Sequence, residues 1–308
     1  MKYRTWLSEW LEYDIRPSKK ERTYKKYGQL IRLHILPDLG EYELNELSAV
    51  VLKQFAASFG KRYSPNTVNG ILTVVKSSLK RAVALEYTEK EFTGVIVRPK
   101  PSEKRAECFS LAEQRKIERY ILGGNRGSLF GVVFCLYTGV RIGELLALKW
   151  EDFHLERGVF FVSKTAIDAW QNGRYIKRLD LPKTESSYRV IPIPKQLLPK
   201  LYELKKRKKS EYFIGGKSEY GMQIRVYQKM FARLLQKLHI SHRCFHVLRH
   251  TFATRALESG MDVKTLSELL GHKNSAVTLN RYAHSLMEHK REVMNRLGKL
   301  FIAEQKST

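Results

Sequence analysis

His246-Val247-Leu248-Arg249-His250-Thr251-Phe252-Ala253-Thr254, followed by Leu270-Gly271-His272 and Arg281-Tyr282, sets two imidazoles and a guanidinium at helical spacing ahead of a lone phenol. Arg249 lies three residues after His246 and His250 four after it, so a helix would turn all three toward one substrate. Gly271 is a helix stop and Ser275 a helix start, which predicts a separate short helix over 276–283 carrying Tyr282, ten residues beyond His272 and free to move relative to the pocket. Upstream, Thr138-Gly139-Val140-Arg141-Ile142-Gly143-Glu144-Leu145 puts Arg141 on a glycine-flanked turn. A phosphodiester under attack gathers charge on its non-bridging oxygens, and two guanidinium forks suit that geometry better than ammonium groups. A phenol, with a reference pKa of about 10, needs a nearby acceptor or cationic field before it can attack. Together these groups form a set for attacking a phosphodiester with a phenol, with neither metal nor cofactor in the scheme.

The composition points to the same partner. Across 308 residues, 56 Lys and Arg stand against 31 Asp and Glu, a formal charge of +25, far beyond what solubility requires. The excess is spread along the chain, with 18 basic and 11 acidic residues in the first hundred, so both halves should touch a polyanion. Lys205-Lys206-Arg207-Lys208-Lys209 is equally a solvated loop or a contact. No stretch approaches the roughly 20 apolar residues of a membrane span, and the N-terminus has no apolar signal core. A cytoplasmic protein with no membrane partner is expected. Cys108, Cys135 and Cys244 form no CxxC pair, which argues against a disulfide framework.

Helices are expected over 3–16, 18–34, 46–59 and 64–87, the last opened by Ser64 as N-cap and Pro65 in its first turn. Val68, Leu72, Val75, Leu79 and Val83 form its apolar stripe; Asn66, Asn69, Thr73, Lys76 and Lys80 lie opposite. That polar face meets either water or DNA, and the neighbouring basic residues Lys19, Lys20, Arg22, Lys25 and Lys26 favour DNA. Two prolines and mixed charge near residue 100 predict a linker, dividing the chain into 1–95, a linker at 96–107 and a second domain at 108–308. In that second domain Ser110 and Glu113 form a capping box, 128–137 reads as a buried helix, and Gly139 ends it before a restart at 142–148. Runs at 158–165, 174–181 and 188–193 read as one small antiparallel sheet, with 183–187 at the tip between its last two strands. Helices follow at 223–238, 246–258, 262–270, 276–283 and 286–302. The fold class is mainly α with a small antiparallel β-sheet.

The motifs at 138–145, Pro182-Lys183-Thr184-Glu185-Ser186-Ser187-Tyr188-Arg189-Val190-Ile191-Pro192, 246–254, 270–272 and 281–282 resemble those of tyrosine recombinases of the phage integrase and Xer type. The resemblance implies a helical, SAM-like core-binding domain over 1–95 and a tyrosine-recombinase catalytic domain ending in a helix exchanged between protomers. It implies that Tyr282 forms a 3′-phosphotyrosyl bond and that Arg141 and Arg249 hold the phosphate. His272 would add a hydrogen bond, His246 would assist proton transfer at the phenol, and Lys183 would protonate the leaving 5′ oxygen. The broken bond's energy stays in the covalent link, so rejoining needs no ATP. The implied partners are double-stranded recombination sites, a homotetramer in the synaptic complex, and an accessory excision or architectural protein. The implied outcome is integration, excision or inversion of a mobile element; alternatives are Xer-type chromosome dimer resolution and a non-cleaving DNA-binding protein of the same fold. Larger integrases carry an additional arm-binding domain before the core-binding helices, which this sequence does not show.

Blander readings apply to single residues. A lone helical tyrosine is usually core, Lys183 is one of 56 basic residues, His250 can simply orient the site, and Glu144 is better suited to fixing a helix or an arginine than to chemistry. The run His239, His242, Cys244, His246 lacks a recognised zinc frame. Gly215-Gly216-Lys217-Ser218 ends like a phosphate-binding loop, but the first required glycine is Glu211.

Overall fold

The computed structural model describes residues 1–60, 62–89, 94, 96–100, 107–124, 126–171, 173–180, 188–216, 221–272, 291 and 294–299. The chain forms two compact units, Met1–Lys104 and Arg105–Thr308.

The first unit is helical: α1 Tyr3–Trp10, α2 Arg16–Ser18, α3 Glu21–Leu30, α4 Leu36–Leu39, α5 Ala49–Ser58 and α6 Pro65–Ala84. Widened turns join α1 to α2 at Leu11–Ile15 and α3 to α4 at Ile31–Ile35. In each, the amide at the end reaches back five residues, Arg16 N–H to Leu11 O and Leu36 N–H to Ile31 O. Pro17 and Pro37 follow at the next position. Proline lacks an N–H and its ring crowds the carbonyl four residues back, and widening the preceding turn relieves both while the chain stays helical. The second helix therefore runs on to Leu39 rather than ending at 34. Ser64 caps α6, accepting from Thr67 N–H. The stripe Val68, Leu72, Val75 and Leu79 is buried with Ile71, Val74 and Ala82, and packs with Tyr3, Trp6, Leu7 and Trp10 of α1. Ser78 adds a polar stitch, paired with Tyr3 Oη at 2.7 Å and accepting at its carbonyl from Trp6 Nε1.

The second unit contains α7 Leu111–Leu122, α8 Phe130–Thr138, α9 Ile142–Ala147, β1 Phe153–His154, β2 Val159–Val162, β3 Thr165–Gln171, β4 Arg174–Asp180, β5 Arg189–Pro192, α10 Leu198–Lys206, α11 Ile224–Lys237, α12 His246–Glu258 and α13 Val263–Leu270. The Ser110–Glu113 capping box starts α7. α8 is buried almost throughout, and α12 packs along it. Phe134, Trp150, Phe153, Phe160 and Phe213 form an aromatic cluster in the core, with centroids as close as 4.9 Å.

Residues 158–165, 174–181 and 188–193 do not form the single sheet expected of these runs. β2 pairs with β1 and β5, while β4 pairs with β3, a strand absent from the expectation. β3 reads Thr-Ala-Ile-Asp-Ala-Trp-Gln, and its central Asp and two Ala residues disfavour a strand. The reason for Asp168 is tertiary: its carboxylate accepts from the Ile224 and Arg225 amides, both at 3.0 Å, and so caps α11 from outside its own chain segment. Gly143 lets α9 lie against β3, because a Cβ there would stand 2.5 Å from Thr165 Oγ1 and 2.9 Å from Ala166 O. Among the described residues no helix is long and apolar enough to cross a membrane. The expected helix at 276–283 lies outside the described residues, as does most of 286–302, of which 294–299 is helical.

Candidate active site

Two glycines set the backbone of the site. Gly139 ends α8 at φ +66°, where a side chain is strained, and a Cβ there would stand 2.3 Å from Phe252 Cδ1. The turn it makes presents Arg141 at the start of α9. Gly271 ends α13 at φ +62°; its N–H bonds Glu268 O, and the His272 N–H reaches back to Ser267 O. This pair of bonds closes the helix and fixes His272 just past its end.

Three arginines from separate elements meet there. Arg249, on α12 and 3% exposed, donates from Nη1 to Gly139 O at 2.9 Å and from Nη2 to Leu270 O at 2.5 Å. The same Nη2 lies 2.9 Å from His272 Nε2. A guanidinium only donates, so Nε2 accepts, and the ring in this pose is unprotonated at that nitrogen. Arg141 donates from Nη1 to Glu144 Oε1 at 2.7 Å and from Nη2 to Gly271 O at 3.3 Å, with 37% of its side chain exposed. The third is Arg189 on β5, whose Nη2 reaches Glu144 Oε2 at 2.8 Å and whose Nε reaches Leu269 O at 2.7 Å. Glu144 is buried; burial alone would raise its pKa, but the Arg189 hydrogen bond and the charges of Arg189, Arg141 and Arg249 hold it at about 2. It stays a carboxylate and orients the cations.

His246 lies exposed at the first turn of α12, its ring edge-on to His250 with centroids 4.6 Å apart. Lys183 and Tyr282 lie outside the described residues. Arg141, Arg249 and His272 are brought together with Glu144, while His246 and His250 pair one turn from Arg249. Arg189 was not among the expected site residues, although its pattern carried a signal. It shares a strand face with Ile191, which is core, so a charge there points inward. Another unexpected buried cation is Lys177, which donates to Leu146 O at 2.9 Å above the Tyr212 ring; burial pushes its pKa down to about 8. It fastens β4 to the end of α9.

Of the α6 candidates, Asn66 and Lys80 are exposed and Lys76 is half-buried. Asn69 donates to Pro99 O at 3.0 Å, and Thr73 donates to Asn69 O and accepts from Arg98 at 3.3 Å. Those two are engaged within their own unit.

Residues 115–289 match the model of the phage integrase family, and residues 2–59 that of the phage integrase N-terminal SAM-like domain. The chain is 31% identical to a XerC-like tyrosine recombinase of Caldanaerobacter subterraneus subsp. tengcongensis, over 96% of this chain and 82% of that one. It is 29% identical to the transposase of transposon Tn916 from Enterococcus faecalis, over 54% of this chain and 45% of that protein. Among solved structures, a variant of the Tn1549 transposon integrase in complex with transposon right-end DNA superposes with a TM-score of 0.82 at 25% identity, covering 97% of this chain and all of that one. A lambda integrase tetramer bound to a Holliday junction shares the fold, with a TM-score of 0.68 at 18% identity over 89% of this chain and 78% of that one.

Proposed function

We propose that this chain, which belongs to the phage integrase family and is a tyrosine site-specific recombinase, cuts its DNA with Tyr282 as nucleophile and Arg141 and Arg249 as the phosphate clamp. The observation that carries this is the convergence at the end of α13, where Arg141 donates to Gly271 O, Arg249 donates to Leu270 O, and His272 Nε2 lies beside Arg249 Nη2. Tyr282 follows on the same chain ten residues later. In this reading the guanidiniums and His272 stabilise charge on the non-bridging oxygens as the phenol oxygen attacks. His246 assists removal of the phenol proton, and Lys183 delivers a proton to the departing 5′ oxygen. The bond formed to Tyr282 replaces the bond broken in the strand, so the reverse attack by a 5′ hydroxyl reseals it without ATP.

Residues 1–95 act as the core-binding unit, 96–107 as a linker and 108–308 as the catalytic unit. In the first, Asn66, Asn69, Thr73, Lys76 and Lys80 line the DNA face, on which Asn69 and Thr73 are held by Pro99 and Arg98 and the lysines supply the charge. Exchange between two duplexes requires cutting four strands, and one nucleophile per chain then calls for four copies, with the C-terminal helix passing to a neighbour. An accessory protein fits the same assembly. Integration, excision or inversion of a mobile element is the outcome that the transposon and phage relatives favour. The XerC-like relative supports dimer resolution as a second reading. Mapping the genomic positions of covalently trapped protein separates the two.

The direct test is Tyr282→Phe, which removes one oxygen and keeps the ring. The variant should bind DNA normally and form no adduct that survives denaturation. A stable adduct in that variant sinks the assignment. Lys183→Ala should regain cleavage on a substrate with a bridging 5′ sulfur, whose leaving group needs no proton, and Arg141→Ala should not.

A further inference from the structure

The last carbonyls of α13 and the one that follows are each taken by a named donor. Ser267 O accepts from His272 N–H at 3.0 Å and Glu268 O from Gly271 N–H at 2.9 Å. Leu269 O accepts from Arg189 Nε, Leu270 O from Arg249 Nη2 and Gly271 O from Arg141 Nη2. Three guanidiniums thus sit at the negative end of one helix, each on a successive carbonyl. They are not equivalent. Arg189 is buried, with 6% of its side chain exposed, and forks onto Glu144 through Nη1 at 3.2 Å and Nη2 at 2.8 Å. Arg141 is the most exposed of the three, touching the same carboxylate through Nη1 and the Gly271 carbonyl through a longer 3.3 Å contact.

We infer that Arg189 is a positioning residue for strand cleavage: it occupies the fork of Glu144 so that Arg141 stays available to the scissile phosphate. A buried carboxylate facing a single guanidinium draws it into a bidentate pair. With Arg189 in place, Glu144 already accepts two of its Nη groups, and the Arg141 side chain keeps one bond to that carboxylate. Without Arg189, Arg141 is the remaining guanidinium hydrogen-bonded to Glu144, and it collapses onto the carboxylate and away from substrate. Leu269 O would lose its cap in the same step, loosening the helix end that carries His272. Arg189 also follows Lys183 by only six residues in the sequence, and its own bond to Leu269 O holds the start of β5 to the helix end that precedes His272. This rests on Arg141 being a phosphate ligand.

The test is the rate of covalent adduct formation by the full chain on a nicked suicide substrate at saturating DNA, with affinity measured separately. Arg189→Gln should bind within about threefold of the parent and form adduct about 100-fold more slowly, the loss expected when a reacting group is misplaced by about an ångström. Because Arg189 acts through Glu144, Arg189→Gln added to Glu144→Gln should slow the reaction by no more than about twofold further. A purely structural role would instead multiply the two losses and lower affinity with rate. If Arg189→Gln does not fold, Arg189→Lys is decisive: it keeps the charge, loses the fork, and should react about tenfold more slowly than the parent. A parental rate in folded Arg189→Gln or Arg189→Lys, or multiplying losses in the double variant, overturns the proposal. Arg141→Ala separates the premise: if it cleaves at the parental rate, the phosphate clamp itself is wrong. If it is inactive while Arg189→Gln is normal, the positioning role alone fails.

Discussion

On α6 of the first unit, Asn66 and Lys80 stand exposed and Lys76 half-exposed, whereas at the end of α13 in the second unit Arg141, Arg189 and Arg249 are fixed by carbonyls, a carboxylate and an imidazole. Both regions are cationic or polar, and both are proposed to meet the same phosphate backbone. A loosely held lysine contributes affinity by releasing counterions, an effect that sums over contacts and is screened by salt. A guanidinium with its donors already committed contributes orientation, which is lost as a unit. Polar groups on α6 can therefore be exchanged singly at small cost, and those around Glu144 cannot.

Arg249→Lys breaks this contrast most sharply, because it preserves charge and removes geometry. An ammonium cannot span Gly139 O, Leu270 O and His272 Nε2 as the planar fork does. Adduct formation at saturating DNA should fall about 1000-fold while affinity changes by less than about threefold. Rapid-quench kinetics beside filter binding checks this. Parallel losses in both would mean that Arg249 contributes only charge.

Acid stability gives the next largest effect. Glu144 ionises at about 2 in the folded chain, against an ordinary value of 4.5. Between those values the unfolded chain binds more protons, so the stabilisation is fully present above pH 4.5 and is lost as pH falls toward 2. The difference corresponds to about 3 kcal/mol. Glu144→Gln should flatten the denaturation-versus-pH curve across that window, also in high salt. The first unit's exposed Glu12 and Glu41 are likewise lowered, by Tyr24 and Lys2 respectively, but salt should erase their part. A Glu144→Gln curve as steep as the parent's would remove the carboxylate from its place at the centre of the cluster.

The same contrast explains what the sequence disclosed. Ser64 with Pro65, the Ser110–Glu113 box, Gly139 and Gly271 are local signals, and the helix ends lie where these residues put them. Arg141 and His272 were marked by the glycines beside them, Gly139 and Gly271, and Arg249 by its helical spacing from His246 and His250. Three features were missed, the last two because their cause is distant. The widened turns before Pro17 and Pro37 keep a helix going where proline usually ends one. Strand β3 holds an Asp that makes sense only against the start of α11. Arg189 reads as one of many basic residues until Glu144 and Leu269, 45 and 80 residues away in sequence, are beside it.

The smallest effect belongs to α6. If Lys76 and Lys80 each neutralise one phosphate, the double substitution Lys76→Ala/Lys80→Ala should make the slope of log affinity against log salt less negative by about two, with roughly tenfold weaker binding near physiological ionic strength. Once DNA is saturating, the adduct should form at the parental rate, because neither lysine orients the reacting groups. Asn69→Ala should leave the slope unchanged, since its amide donates to Pro99 O and a neutral side chain displaces no counterion. It should instead cost about 1 kcal/mol of stability through that lost hydrogen bond. A reduced adduct rate in the double variant at saturation would mean that α6 also shapes the substrate, and the division between summed affinity and fixed orientation would not hold between the two units.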